Sequence, residues 1–260
     1  MKGRCYLLSL EKFWESTDGE RYFREALQKV DVTRREKVKH MRTEKSKASC
    51  VGAGLLLQFA VQEALKETEG DDVCISTEAV GDMQFRGDML SRKRGEAGYQ
   101  LAVHTVSQVL KQLNGPLDLK MYYKGNGKPY LQDYPLYFNL SHSGNYVVCA
   151  VSTQEVGVDI QEYKNADVKR LARRFFSVEE QSILMACANE KEQSELFYQL
   201  WTRKEAYGKL TGEGIAAVID KSVLPLKKRK SAVAEDDTQL FWQEWELDGY
   251  AITLCQYGIK

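Results

Sequence analysis

At 260 residues, with 43% apolar residues, 28% charged residues and 4 prolines, the chain is long and apolar enough to bury a core, which excludes disordered, collagen-like and low-complexity classes. Lys plus Arg equals Asp plus Glu at 37 each, so no basic surplus points to nucleic acid, and any anion site has to be a local grouping of charges. The cysteines at 5, 50, 74, 149, 187 and 255 are scattered with no CxxC, the pattern of reduced, mostly buried thiols rather than of a zinc knuckle or a disulfide framework.

The opening MKGRCYLLSLEKFWE has too short an apolar stretch, followed at once by acidic residues, to act as a secretory signal. No run of about twenty apolar residues predicts a membrane span. A reducing cytoplasm is therefore the expected location. Cys5 to Leu10 reads as a first strand, and ERYFREALQKV places Tyr22, Phe23, Ala26, Leu27 and Val30 on one helical face. The basic segment 34–47 then leads into SCVGAGLLLQFAVQEALKE, whose length and apolar content predict a buried helix, with Gly52 and Gly54 permitting close approach. Residues 68–98 are polar and glycine-bearing without a period, as expected of an insertion or mobile loop. A further helix is expected over Tyr99 to Leu113.

LDLKMYYKGNGKPYL reads as a strand, a turn at Asn126-Gly127 and a second extended piece. LYFNLSHSG, NYVVCAVS and EVGVDIQ follow as three short strands, the pattern of an antiparallel meander. Helical ADVKRLARRF comes next, then FFSVEEQSILMA, in which Ser177 and Glu180 have capping-box spacing. EQSELFYQLWTRKEAYGKLT is the strongest helical candidate, stopped by Gly212 and Gly214. AAVIDKSVL, QLFWQEWEL and YAITLCQ close the chain as strands, with KKRK at 227–230 in a solvated loop. Each half thus reads as a helix followed by three strands, and NYVVCAV resembles GYAITLC. The expectation is an α+β protein of two similar lobes, 1–153 and 154–260, each a helix packed on a small antiparallel sheet, with a pseudo-twofold between them.

EVGVDIQEY raises the question of chemistry. Strand alternation sets Val156, Val158 and Ile160 against Gly157, Asp159 and Gln161. An aspartate on a buried strand needs hydrogen bonds, a cation or a metal. In QLWTRKEAYGKL, Trp201, Glu205 and Lys209 fall at i, i+4 and i+8 along one helix stripe. Taken alone the stripe reads as a surface ion pair. With Asp159 it makes two carboxylates suited to Mg²⁺ and a lysine suited to a phosphate. Ser141 and His142, expected in a tight turn, and Lys128 of GNGKP gain interest only beside these.

GKPYL, FNLSHSG, VGVDI, RRFFSVEE and LWTRKEAYGKL, in this order from about Gly127 to Gly214, resemble the 4′-phosphopantetheinyl transferase family, specifically the two-lobed kind that activates peptide and polyketide synthetases. The resemblance implies transfer of the phosphopantetheine arm of coenzyme A to a serine of an acyl or peptidyl carrier protein, with adenosine 3′,5′-bisphosphate leaving. It implies that Asp159 binds Mg²⁺, that Glu205 is a metal ligand and the base for the carrier serine, and that Lys209 stabilises the leaving bisphosphate. Ser141 and His142 would touch coenzyme A phosphates, Lys128 would help hold the nucleotide end, and Phe175 and Phe176 would contact the carrier.

Three departures stand out. Many members have DIE where this chain has DIQ, so Gln161 offers an amide or a bridging water in place of a third carboxylate, and Glu162 faces the other way. Where relatives often have an arginine, KSKASC has Ser49 and Cys50, leaving Lys45 and Lys47 as candidates for the 3′-phosphate. The segment 68–98 has no counterpart. The competing readings are a Mg²⁺-dependent phosphodiesterase or nuclease, which the balanced charge disfavours, and a non-catalytic coenzyme A binder. No nucleic acid and no membrane are expected as partners, and two fused lobes make a monomer sufficient.

Overall fold

The computed structural model describes residues 3–14, 17–68, 99, 101–219, 221–223 and 240–258. They group into two compact units, one holding described residues up to 68 with 99–124 and 129–153, the other 125–128 and those from 154 onward.

The first unit runs β1 (Arg4–Ser9), α1 (Gly19–Lys29), α2 (Val32–Lys39), α3 (Glu44–Thr68), β2 (Leu101–Thr105), α4 (Val106–Gln112), β3 (Met121–Tyr123), β4 (Pro129–Leu131), β5 (Tyr137–Ser143) and β6 (Tyr146–Ser152). Its sheet has the order β2-β1-β6-β5, with β1 parallel to β2 and antiparallel to β6, and β5 antiparallel to β6. α3 lies against β1 and β6. Leu55, Phe59 and Val51 from the helix and Leu8, Val147 and Cys149 from the sheet make the centre of the core. A side chain on Gly52 would collide with Leu10, so glycine sets how closely α3 approaches the sheet. α3 has the length and apolar content of a membrane span, but 94% of that window is buried by the protein itself.

The second unit runs β7 (Val156–Glu162), α5 (Val168–Phe175), α6 (Val178–Met185), α7 (Glu190–Thr211), β8 (Leu240–Leu247) and β9 (Tyr250–Tyr257), with the antiparallel order β7-β9-β8. α7 covers β7 and β9. Phe197, Leu200, Ala206 and Leu210 of the helix join Phe176, Leu184, Ala251 and Cys255 in the core. The predicted capping box forms, with Ser177 accepting from the Glu180 amide and Glu180 accepting from the Ser177 amide. α7 stops at Gly212, whose φ of 76° is a left-handed conformation that glycine adopts without strain.

Three expectations are corrected. The helix expected over Tyr99 to Leu113 is a strand, β2, and then α4, because the edge of β1 offers LAVHT a parallel partner, and an apolar run of that length has no period of its own to oppose it. The described residues of the expected strand AAVIDKSVL, which leave out Asp220 and Leu224, hold no strand: a 3₁₀ turn at Ile215–Ala217 is followed by Val218, Ile219 and Lys221, whose carbonyls accept from Lys204 of α7. Of the three-strand meander only β5 and β6 pair, while β7 pairs with β9 in a different sheet. The repeating plan is accordingly strand, helix, hairpin, with the last strand in the middle: β1, α3, β5 and β6 in one unit, β7, α7, β8 and β9 in the other. Among the described residues, Cys5, Cys50, Cys149 and Cys255 are buried and unbridged, and Cys187 is half-buried. The insertion proposed over 68–98 and the KKRK run lie outside the described residues apart from Thr68 at the end of α3.

Candidate active site

The face of β7 that carries Gly157, Asp159 and Gln161 is turned toward α7. A methyl group on Gly157 would run into the backbone of Ala206 and Leu210, so the bare glycine lets the helix lie directly on the strand. The helix is held in register by a buried hydrogen bond of 2.8 Å between the hydroxyls of Thr202 and Thr253, and Thr253 is the residue opposite Asp159 on β9.

Asp159 is only 1% exposed. Its compensation comes from Lys209, whose Nζ donates to Asp159 Oδ1 at 2.6 Å and to the Val158 carbonyl at 3.2 Å. One helical turn earlier, half-buried Glu205 has its carboxyl pushed up from the ordinary 4.5, first by burial, then by the charge of Asp159, with Lys209 pulling part of the way back. Two carboxylates and one ammonium therefore share one electrostatic neighbourhood, although Asp159 lies about fifty positions from the other two in the chain.

The donor set fits a hard divalent cation. Asp159 and Glu205 repel each other, and a positive ion between opposed carboxylates removes that cost. Among the described residues no group of three or more His, Cys, Asp and Glu side chains is suited to hold a metal, so an ion held here would take two carboxylates and would complete its shell from an amide, water or substrate oxygens. That is the habit of Mg²⁺ rather than of Zn²⁺ or Ca²⁺. Gln161, half-buried and opposite Ala251, is the next residue on the same face.

Lys128 is turned inward. Its Nζ donates to Glu155 Oε2 at 2.5 Å and to the Leu210 carbonyl at 2.8 Å, so it fastens the turn at 125–128 to the last turn of α7 and the approach to β7. Ser141 and His142, expected in a turn, are instead paired residues of β5, opposite Val148 and Val147, and the turn follows at Gly144, whose φ is 55°. Ser141 is buried and His142 exposed. They belong to the first unit, as do Lys45, exposed in the first turn of α3, and Lys47, paired with Glu44 at 2.7 Å. Phe176 is interior, stacked on Phe197 at 5.0 Å, and half-buried Phe175 meets Trp201 edge to face at 5.3 Å. The large apolar side chains that do reach the surface nearby are those of α6: Val178 at 78% exposure, Ile183 at 46% and Met185 at 42%.

Two residues that the sequence reading passed over sit against this site. Lys204, beside Glu205, is fully buried and paired with fully buried Glu180 at 2.9 Å. Glu180 was legible as a helix cap, but its second role was not, because nothing local ties it to a lysine twenty-four positions on. Arg203 grips Glu244 of β8 through two hydrogen bonds of 2.6 and 2.7 Å.

The profile of the 4′-phosphopantetheinyl transferase superfamily matches residues 155–255, the segment that carries Asp159, Glu205 and Lys209. The 4′-phosphopantetheinyl transferase Sfp of Bacillus subtilis (strain 168) is 34% identical over 143 residues, 53% of this chain and 63% of that protein. The 4′-phosphopantetheinyl transferase HetI of Nostoc sp. (strain PCC 7120) is 39% identical over 127 residues, 46% of this chain and 53% of that protein. Across the first of these relatives the chain spans less than two thirds of their length. With the 4′-phosphopantetheinyl transferase ffp of Bacillus subtilis, identity is 35% over 158 residues, 59% of this chain and 69% of the relative. By that match, and by a family profile centred on the site just described, the chain belongs to the 4′-phosphopantetheinyl transferase superfamily.

Proposed function

We propose that the protein transfers the 4′-phosphopantetheine arm of coenzyme A to a serine of an acyl or peptidyl carrier protein. The observation that carries the reading is the grouping of Asp159, Glu205 and Lys209 on facing surfaces of β7 and α7, inside the segment the family profile matches.

The serine Oγ bonds to the phosphorus that bears pantetheine, the bridging P–O bond of the diphosphate breaks, and adenosine 3′,5′-bisphosphate departs. Glu205 receives the serine proton, directly or through one water. A carboxyl whose proton affinity is raised is better matched to that task at neutral pH than an ordinary glutamate. Asp159 and Glu205, with Gln161 supplying an amide oxygen or a bridging water, are the residues that would hold Mg²⁺, which when bound neutralises charge on the diphosphate oxygens. Lys209 stabilises the leaving bisphosphate by moving its ammonium between Asp159 and the phosphate. Lys128, whose ammonium is engaged by Glu155 and the Leu210 carbonyl and so fixes the turn beside the end of α7, is proposed on the motif correspondence to help hold the nucleotide end of coenzyme A. Ser141 and His142 are proposed as contacts for coenzyme A phosphates on the motif correspondence alone, and Lys45 and Lys47 for the 3′-phosphate as replacements for the arginine that relatives often have. A reducing cytoplasm and a monomeric state belong to the same proposal.

The test is to mix the protein with coenzyme A, Mg²⁺ and several unmodified carrier proteins and weigh the carriers by intact mass spectrometry. One added phosphopantetheine per carrier, lost on addition of EDTA, is the expected result. Carriers of unchanged mass across the panel, or cleavage of nucleic acid in their place, would overturn it.

A further inference from the structure

The buried pair of Lys204 and Glu180 has no place in the chemistry proposed above, yet it adjoins it in the chain. Lys204 Nζ lies 2.9 Å from Glu180 Oε2 and donates to the carbonyls of Val218 at 3.0 Å, Ile219 at 3.1 Å and Lys221 at 2.6 Å. Glu180 is equally occupied: it accepts from the Ser177 amide at 2.9 Å through Oε2 and from the Val223 amide at 2.8 Å through Oε1. The ring of Phe176 closes over the ammonium at 5.7 Å. Neither side chain has any exposed surface.

Such a pair is a poor device for stability, since the cost of removing two charges from water commonly cancels their attraction, and apolar residues of the same volume often serve as well. What it does supply is a fixed direction. One ammonium ties α7 to the N-terminus of α6 and to the carbonyls of Val218, Ile219 and Lys221, and Arg203 adds the Val223 carbonyl at 2.9 Å and Glu244 of β8. Thr202 holds β9. Three consecutive residues of α7, 202 to 204, are thus fastened to three different parts of the second unit, and the next residue is Glu205. A helix anchored on several sides at one point cannot rotate about its axis or slide along the sheet, and either motion would carry Glu205 away from Asp159.

We propose that Lys204, through Glu180 and the carbonyls of Val218, Ile219 and Lys221, is a positioning residue that sets the rotation of α7 and so the placement of Glu205 and Lys209 opposite Asp159. This rests on the reading of Asp159 and Glu205 as the divalent-ion site. The pair does not touch substrate. It determines whether the two carboxylates present themselves to one ion.

The experiment uses the full chain and compares wild type with Lys204→Met, with Lys204→Met combined with Glu180→Leu, and with Glu180→Gln. Melting temperature is read in EDTA. Mn²⁺ binding is read by electron paramagnetic resonance with saturating coenzyme A, and transfer kinetics follow. Lys204→Met strands the carboxylate and should lose more than about 8 °C of melting temperature. The double variant should recover to within about 3 °C, because it buries no lone charge. It should nevertheless bind Mn²⁺ at least about 5-fold more weakly and show kcat lowered at least about 10-fold, with KM for coenzyme A within about 3-fold, since the loss falls on the reacting geometry and not on substrate binding. A double variant that binds Mn²⁺ as tightly as wild type would overturn the proposal and leave the pair merely structural. If the double variant does not fold, Glu180→Gln, which keeps shape and the Val223 contact, carries the same comparison with the same two outcomes. A wild type that binds Mn²⁺ but modifies no carrier refutes the transfer reading and leaves the positioning role standing. One that binds no Mn²⁺ overturns the ion site beneath both.

Discussion

The two units use one plan for different ends. In each, an opening strand pairs antiparallel with the closing strand, which pairs in turn with the strand before it, and a long helix lies across the sheet. Superposing the pairing registers matches NYVVCAV of β6 to GYAITLC of β9. The residue opposite Cys149 is Tyr6, and the residue opposite the equivalent Thr253 is Asp159. Two positions along, Leu8 opposite Val147 corresponds to Gln161 opposite Ala251. In the first unit the strand presents Tyr6 to Phe59 of α3, rings 5.4 Å apart. In the second it presents Asp159 to Lys209 of α7 at 2.6 Å. The frame is indifferent to this exchange. A few side chains between strand and helix turn a packed core into a charged site, which is why function has to be argued from the site and not from the fold.

The comparison can be sharpened by removing charges from the second unit one at a time. Glu205→Gln should have the largest effect, lowering kcat at least about 10³-fold, or about 4 kcal/mol of transition-state stabilisation. In EDTA at neutral pH the same variant should melt slightly higher than wild type. The sign follows from its raised carboxyl: the folded state holds that proton more tightly than the unfolded chain, so wild-type stability falls as pH rises from the ordinary glutamate range through the raised value. The gain should vanish below about pH 4, where both states are protonated, and calorimetry across pH checks it. A variant that melts lower than wild type at neutral pH would contradict the account of Glu205.

Lys209→Met comes next. It leaves Asp159, 1% exposed, without its cation, at a cost of about 3 kcal/mol, measured by urea unfolding. Pairing it with Asp159→Leu, which makes the second unit resemble the first at this position, should return most of that stability while transfer stays absent. A smaller loss is expected from Gly157→Ala, at about 2 kcal/mol, because its methyl meets the backbone of α7 and not a yielding side chain. The matching residue in the first unit is Arg4, opposite Val151 where Gly157 is opposite Cys255. It is half-buried, and Arg4→Ala should cost less than about 1 kcal/mol. Equal losses at the two positions would show that the close approach of helix and strand is not peculiar to the second unit.

Elements with their own local signals were legible. The Ser177–Glu180 capping box, the Gly212 stop and the alternation that put Asp159 on a face with Gly157 and Gln161 all depend on neighbours within four residues. Readings failed where a distant partner decided. LAVHT became a strand because β1 was there to receive it, and in AAVIDKSVL the carbonyls of Val218, Ile219 and Lys221 went to Lys204 and not to a neighbouring strand. Lys204 itself, in the middle of the most conspicuous motif of the chain, gave no sign of burial, since a lysine with zero exposure is intelligible only with Glu180 and three carbonyls around it.

What the residues alone determined, then, was an α+β chain with an aspartate on a strand and a glutamate and a lysine one turn apart on a helix, together with the motif order that names the family. Spacing and alternation are properties of a few consecutive residues, and they survive whatever the rest of the chain does. That Asp159 and Lys209 meet, that Glu205 shares their field, and that α7 is anchored at 202 to 204 were decided by tertiary packing alone. Each of these joins residues tens of positions apart, and only the fold brings such charges close enough, with enough water removed between them, to act strongly on one another.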